Sequence, residues 1–254
     1  MTTKRRILIT GAASGIGLAT AQRLARDGHA LVLVDRNADR LEAAASTLPE
    51  GSSVLTCAGD VRDAARVEAS VAEAVARLGG LDGLVTSAGI VGVTPSFAVT
   101  PEAFRDHLEV NVTGSWLYAQ AVGRHMAEQG AGSIVMIGSV YGIGGAPQRA
   151  AYCASKGAVH NLVQALAVEW GPLGIRVNAV APTGVRTPMV QELIDRGIYN
   201  LKGVQARTPL GRLAEPEEIA ESCCFLLSEA AAMINGIVLR VDGGWVANGY
   251  TTTA

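Results

Sequence analysis

Residues 6–17, Arg6-Ile7-Leu8-Ile9-Thr10-Gly11-Ala12-Ala13-Ser14-Gly15-Ile16-Gly17, decide how this chain folds. Ile7, Leu8 and Ile9 form an unbroken aliphatic run, which reads as a strand buried on both faces. A turn of small residues follows at once, and an amphipathic helix follows the turn. The same rhythm continues along the chain. Arg5–Thr10, Ala30–Asp35, Ser53–Cys57, Leu81–Thr86, Ser133–Ser139, Arg176–Ala181 and Ile237–Val241 read as buried strands. Helices are expected between them over 15–27, 37–47, 63–78, 101–129, 150–170 and 216–228. Thr100-Pro101-Glu102 and Glu215-Pro216-Glu217-Glu218 mark helix starts, with Pro at the first helical position. Alternation of this kind predicts an α/β fold: one mostly parallel, doubly wound, seven-stranded sheet with helices on both faces. No low-complexity linker divides residues 1–254, so one domain is expected. The stretch 187–213, punctuated by Pro188, Gly197, Pro209 and Gly211, interrupts the rhythm and is expected to be a lid over the ligand; a helical excursion that only packs is the other reading.

The totals narrow the function. The chain has 254 residues, 49% of them hydrophobic and 17% charged, as befits a well-buried globular protein. A formal net charge of −2 gives no basic footprint for nucleic acid and no polybasic patch for a membrane surface. Lys4-Arg5-Arg6 precedes too short an apolar run for a signal peptide or a bilayer span. Cys57, Cys153, Cys223 and Cys224 show neither metal-ligand nor disulfide-framework spacing, and the histidines show no zinc spacing. A reduced, cytoplasmic protein without a metal is expected.

In open α/β sheets the first strand-to-helix turn receives phosphates at the carboxyl ends of the strands. Here Gly11, Ser14, Gly15, Ile16 and Gly17 form that turn. Small residues let the backbone approach a pyrophosphate, and the helix N-terminus offers free N–H groups. Asp35 closes the second strand about 20 residues further on, where a carboxylate bonds a ribose 2′-hydroxyl and repels a 2′-phosphate. NAD is therefore expected over NADP, although Arg36 softens the repulsion; a helix cap is the other reading of Asp35. Asp60-Val61, past the third strand, suits an adenine edge or a plain turn.

Tyr152 and Lys156 lie four apart on one face of a helix. A lysine ammonium beside a phenol favours the phenolate. Lowering the pKa by about 3 units takes about 4 kcal/mol of differential interaction. Such a tyrosine exchanges a proton with an alcohol or alkoxide near neutrality.

With these residues in view, the chain resembles the short-chain dehydrogenase/reductase family, a Rossmann-type fold, nearly end to end. The resemblance rests on Thr10–Gly17, on Asn111-Val112-Thr113-Gly114, on Ser139, and on Tyr152 with Lys156 in Y-x-x-x-K spacing. It implies that Tyr152 is the general acid/base and that Lys156 tunes it and binds the nicotinamide ribose. Ser139 would hydrogen-bond the substrate oxygen, and Asn111 would hold a water linking Lys156 to solvent. Val185 and Thr187 would meet the carboxamide, with Ser87, Ala88, Gly89 and Pro182 completing the cofactor site. Thr86-Ser87 stands where the family usually has Asn-Asn, so altered polar partners are expected there. Thr183, between Pro182 and Gly184, is expected to narrow the substrate mouth.

The resemblance thus implies an NAD-dependent oxidoreductase for a secondary alcohol or ketone, with a sugar, polyol or similar small hydroxylated substrate. A 3-oxoacyl thioester reductase and a non-catalytic dinucleotide-sensing protein are the alternatives. It also implies a homotetramer built through 101–129, 150–170 and the final strand, with Val246–Ala254 near a neighbour's site. The substrate pocket is expected from 89–95, 140–151 and 187–213, with Gly142, Gly144 and Gly145 giving room near Ser139. Arg149 is either an anion-binding group or a solvated helix-start residue. His160 is expected to pack. Trp116, Trp170 and Trp245 read as core or interface anchors.

Overall fold

The computed structural model describes residues 4–249; residues 250–254 of the expected tail contact lie outside the described residues. In chain order the elements are β1 (Arg6–Thr10), α1 (Gly15–Arg26), β2 (Ala30–Asp35), α2 (Ala38–Ser46), β3 (Val54–Ala58), α3 (Ala64–Leu78), β4 (Gly83–Thr86), α4 (Pro101–Leu108), α5 (Gly114–Gln129), β5 (Gly132–Ile137), α6 (Ala150–Trp170), β6 (Ile175–Pro182), α7 (Pro188–Asp195), α8 (Leu201–Arg207), α9 (Pro216–Leu227) and β7 (Val238–Val241). The strands form one seven-stranded sheet in the order β3-β2-β1-β4-β5-β6-β7. Every pairing in it is parallel.

Alternate residues of a strand point to opposite faces, and the two cores follow that parity. Leu8, Val32, Val34, Leu84 and Ile134 pack under α3, α5 and α6. Ile7, Ile9, Leu31, Leu33, Val85 and Val135 pack under α1, α2 and α9. The continuous aliphatic runs exist because both faces are covered. Caps start the helices: Asn37, Asp63 and Thr100 side chains accept from the N–H of Arg40, Arg66 and Ala103. Glu215 and Glu218 form a reciprocal capping box at α9.

One expectation needs correction. The helix expected over 101–129 is interrupted by a π-helical turn, Glu109–Thr113, between α4 and α5. The extra residue bulges the backbone and turns Asn111 inward, to full burial. The stretch 187–213, outside the strand–helix rhythm, is built from two short helices, α7 and α8, started by the side-chain caps Thr187 and Asn200. No helix among the described residues is long and apolar enough to cross a membrane.

Candidate active site

Strand order reverses between β1 and β4, so the loops leaving these strands diverge and open a crevice at their carboxyl ends. The glycine turn sits there. Gly11 has φ +66°, and a Cβ on it would come within 2.7 Å of the Ala88 nitrogen. A Cβ on Gly17 would run into the carbonyl oxygen of Gly11. Thr10 Oγ1 accepts from Ala88 N–H at 3.2 Å, tying the turn to Ser87-Ala88-Gly89. Ser14 precedes α1 in extended conformation and makes no side-chain cap, so the first-turn N–H groups keep their donors for an anion. A cradle of backbone that side chains would fill, at an uncapped helix start, fits a pyrophosphate.

Asp35 ends β2 half-buried, its Oδ2 accepting from Ala13 N–H at 3.3 Å and its Oδ1 from Asn37 N–H at 3.0 Å. Asn37, not Asp35, caps α2, which leaves the Asp35 carboxylate with spare lone pairs beside the cradle. Arg36 is exposed. The Asp60 carboxylate is gripped by the Arg62 guanidinium, whose Nη2 donates at 2.6 Å. That hydrogen bond holds the Asp60 pKa below its ordinary value. Val61 is buried, in close packing against Gly114.

The four catalytic candidates converge on one end of the crevice. Asn111 Oδ1 accepts from Ile90 N–H at 2.8 Å, and its Nδ2 donates to Ile90 O at 3.0 Å and to Ser155 Oγ at 2.9 Å. Ser155 in turn donates to the Tyr152 carbonyl at 2.8 Å, so Asn111 is fastened to the turn of α6 that carries Tyr152. Ser139, just past β5, is 6% exposed, and its Oγ accepts from Tyr141 N–H at 3.1 Å. Its own N–H donates to His160 Nε2 at 3.4 Å. His160 is thus a packed residue that positions Ser139; burial pushes its pKa down. Ser155 carried no signal in the sequence beyond its place between Tyr152 and Lys156.

The proton-transfer pair departs from the sequence expectation in one respect. Lys156 Nζ lies 5.8 Å from the Tyr152 ring centroid and donates to the Ile137 carbonyl at 2.7 Å. Burial brings the Lys156 pKa down to about 8. Burial also raises the Tyr152 pKa, with the Ser139 hydrogen bond and the positive charge of Arg149 pulling it back only in part. The lowered phenol expected from the i, i+4 spacing is therefore not a property of these protein groups alone. Desolvation of the phenolate outweighs them.

A cleft beside this cluster is lined by Tyr141, Arg149, Pro182–Val185, Leu193 and Tyr199 together with Ser139 and Tyr152. Thr183 stands in that wall, and so do Val185 and Thr187. Thr187 Oγ1 caps α7 by accepting from Val190 N–H at 3.3 Å, and its methyl lies 3.1 Å from where a Gly15 Cβ would stand. Gly142 gives no room: a Cβ there would meet the Lys156 backbone at 2.7 Å. Gly144 and Gly145 do face open space. Thr86 Oγ1 is buried without a partner among the described residues, so its hydroxyl replaces no amide hydrogen bond there. Trp245 is buried against Tyr141, with ring centroids 5.6 Å apart, while Trp116 is half-exposed.

Residues 11–246 match the family model described as enoyl-(acyl carrier protein) reductase. The chain is 41% identical to 2-(S)-hydroxypropyl-CoM dehydrogenase 3 of Xanthobacter autotrophicus, over 95% of this chain and 96% of the relative. It is 41% identical to D-threitol dehydrogenase of Mycolicibacterium smegmatis, over 94% of this chain and 91% of the relative. The crystal structure of levodione reductase superposes with a TM-score of 0.94 at 38% identity, covering 98% of this chain and all 100% of that one. The chain belongs to the short-chain dehydrogenase/reductase family. It is an oxidoreductase that interconverts secondary alcohols and ketones with a nicotinamide dinucleotide.

Proposed function

We propose that this enzyme uses NAD to oxidise a small hydroxylated secondary alcohol, of the sugar or polyol class, with Tyr152 as general base and as general acid in reverse. The observation that carries the reading is the convergence of Ser139, Tyr152, Lys156 and Asn111 at the crevice end beside the glycine cradle. When bound, an oxidised nicotinamide would supply the hydride acceptor and a nearby positive charge. Tyr152 Oη takes the carbinol proton, and the Ser139 hydroxyl donates to the same substrate oxygen and stabilises charge there. Lys156, with a pKa of about 8, is an ammonium near neutral pH; its field favours the phenolate, and it would hold the ribose hydroxyls of a bound cofactor beside its hydrogen bond to Ile137. Asn111 fixes the α6 turn that carries Tyr152 and holds the water that links Lys156 to solvent.

Gly11, Ser14, Gly15, Ile16 and Gly17 would hold the pyrophosphate, and Asp35 the adenosine ribose. Asp60 and Val61 would meet the adenine edge. Ser87–Gly89, Pro182, Val185 and Thr187 would border the nicotinamide. The uncompensated Asp35 carboxylate supports NAD over NADP, and the polyol relative supports the substrate class. The segment 187–213 acts as a lid, with Thr187, the cap of α7, resting its methyl on the glycine turn. The half-exposed Phe104 and Trp116 and the exposed Val168 on α4, α5 and α6 support a homotetramer through these helices, which light scattering reads directly. A panel of polyols, sugars and alicyclic alcohols, each assayed with NAD and with NADP, tests the whole. Turnover is expected with NAD at a kcat/KM at least tenfold above that with NADP. A preference for NADP would overturn the role given to Asp35.

A further inference from the structure

The cleft at Tyr152 and Ser139 contains one guanidinium that no carboxylate neutralises. Arg149 sits at the start of α6 and is only 8% exposed. It lines the same cleft as Tyr152 and Ser139, and no Asp or Glu lines that cleft. Its guanidinium carbon lies 5.6 Å from the Tyr141 ring centroid and 5.8 Å from that of Tyr199. Its side chain has no hydrogen bond or ion pair among the described residues.

A hidden guanidinium is normally paired with an anion, because desolvating a charge is costly. The two tyrosine faces return part of that cost through cation–π attraction. They satisfy none of the five N–H donors, which are fixed in a fork that matches an oxyanion. The backbone is also shaped to deliver this side chain. Gln148, immediately before it, has φ +62°, in the left-handed region that non-glycine residues avoid. Thr94 N–H holds it there by donating to the Gln148 carbonyl at 2.8 Å. Such strained positions are kept where surrounding structure imposes them, and they cluster at ligand clamps.

We propose that Arg149 binds an anionic oxygen group on the substrate, so that the site's preferred substrate is a hydroxy acid or its keto counterpart, bearing a carboxylate, sulfonate or phosphate. This rests on the reading of the cleft as the substrate site and deepens the substrate class given there. The oxyanion docks on the guanidinium fork, Tyr141 and Tyr199 flank the carbon skeleton, and the carbinol carbon reaches Ser139 and Tyr152.

The test uses matched ketones with NADH: 4-oxocyclohexanecarboxylate against its carboxamide, 4-oxopentanoate against its carboxamide, and dihydroxyacetone phosphate against dihydroxyacetone. The wild type is expected to favour the charged member of a reactive pair by roughly 30-fold or more in kcat/KM. Arg149→Gln should bring that ratio near one, chiefly through KM, and Arg149→Lys should restore part of it. Each ratio is taken within one preparation, so a partly folded variant does not distort it. A wild-type ratio at or below one, or a ratio unchanged in Arg149→Gln, overturns the anion site and leaves the ketone reductase standing. Wild-type enzyme that turns over no member with NADH or NADPH overturns both.

Discussion

On the side of the crevice proposed for the nucleotide the chain touches itself backbone to backbone. Gly11 lies against Ala88, and Gly17 against the Gly11 carbonyl, with no side chain between them. On the side proposed for the substrate the walls are side chains, Val91, Tyr141, Arg149, Met189 and Tyr199, gathered from loops and short helices far apart in sequence. The first construction accepts one residue type at each contact and presents the same surface to every dinucleotide. The second leaves each position open to many residue types, so its shape can follow a particular substrate. In the proposed reading, a common cofactor and a variable substrate are served by opposite materials on two walls of one cleft.

The sharpest way to break this picture lies where the walls meet. Tyr152→Phe removes one hydroxyl and leaves the cradle untouched. Turnover is expected to fall about 10²- to 10⁴-fold, the usual worth of a placed general acid/base, with NADH affinity unchanged by titration. Near-normal turnover would take the proton away from Tyr152. The same experiment carries a pH signature. Because burial holds the phenol above its ordinary value, wild-type alcohol oxidation should rise with pH and ketone reduction should fall.

Next in size is Gly17→Ala. The added Cβ meets a main-chain oxygen that cannot rotate away, so the turn must open. A loss of about 3 kcal/mol in unfolding free energy is expected, with weakened dinucleotide binding, as overpacking against fixed atoms costs. Denaturant titration and NADH titration read the two losses. A stable variant with intact affinity would show that the cradle is as forgiving as the other wall.

The same contrast explains what could be read from the sequence. Strand parity, the glycine turn, Asp35 and the Tyr152–Lys156 spacing were legible because each depends on neighbours near in the chain. The π-helical turn at Glu109–Thr113 was not: Val110 and Val112 continue the apolar pattern, and one inserted residue leaves no compositional mark. The α8 helix was hidden by its length and by Gly203, although Asn200 does cap it. The burial of Arg149 depends on Tyr141 and Tyr199, which approach it from separate segments. The direction of the Tyr152 shift was misread for a related reason. Spacing on a helix tells which side chains share a face, but not how much water reaches them.

Lys156, buried between Gly89 and the Tyr152 ring, offers a test of intermediate size. Its folded pKa of about 8 lies below the ordinary 10.5, so at neutral pH the buried charge costs the fold about 3 kcal/mol. Between those two values the unfolded chain holds a proton that the folded protein has released. Raising the pH through that window therefore stabilises the wild type, and Lys156→Met cannot gain in the same way. The variant should match or exceed wild-type stability at pH 7, even with the Ile137 carbonyl left without its donor. Its relative stability should then fall by up to about 3 kcal/mol toward pH 10.5, while activity is lost throughout. Urea unfolding of both proteins at the two ends of the window measures the difference. A gap that does not move with pH would mean that Lys156 is hydrated in the folded protein.

The smallest effect falls on the side-chain-built wall. Gly144 lies in the loop between Ser139 and Arg149, its backbone is outside the left-handed region, and a Cβ there would meet nothing within 4 Å. Gly144→Ala should therefore stabilise the protein by about 0.4–1 kcal/mol, because the substitution removes freedom from the unfolded chain and adds no clash. Thermal unfolding measures that gain, of opposite sign to the loss at Gly17. Kinetics on the same variant separate two roles for the loop. Unchanged kcat and KM would mean that its glycines merely fill space beside the cleft. A lower kcat at higher stability would mean that the loop must move for substrate or product to pass, and that the substrate wall is held loosely for that purpose.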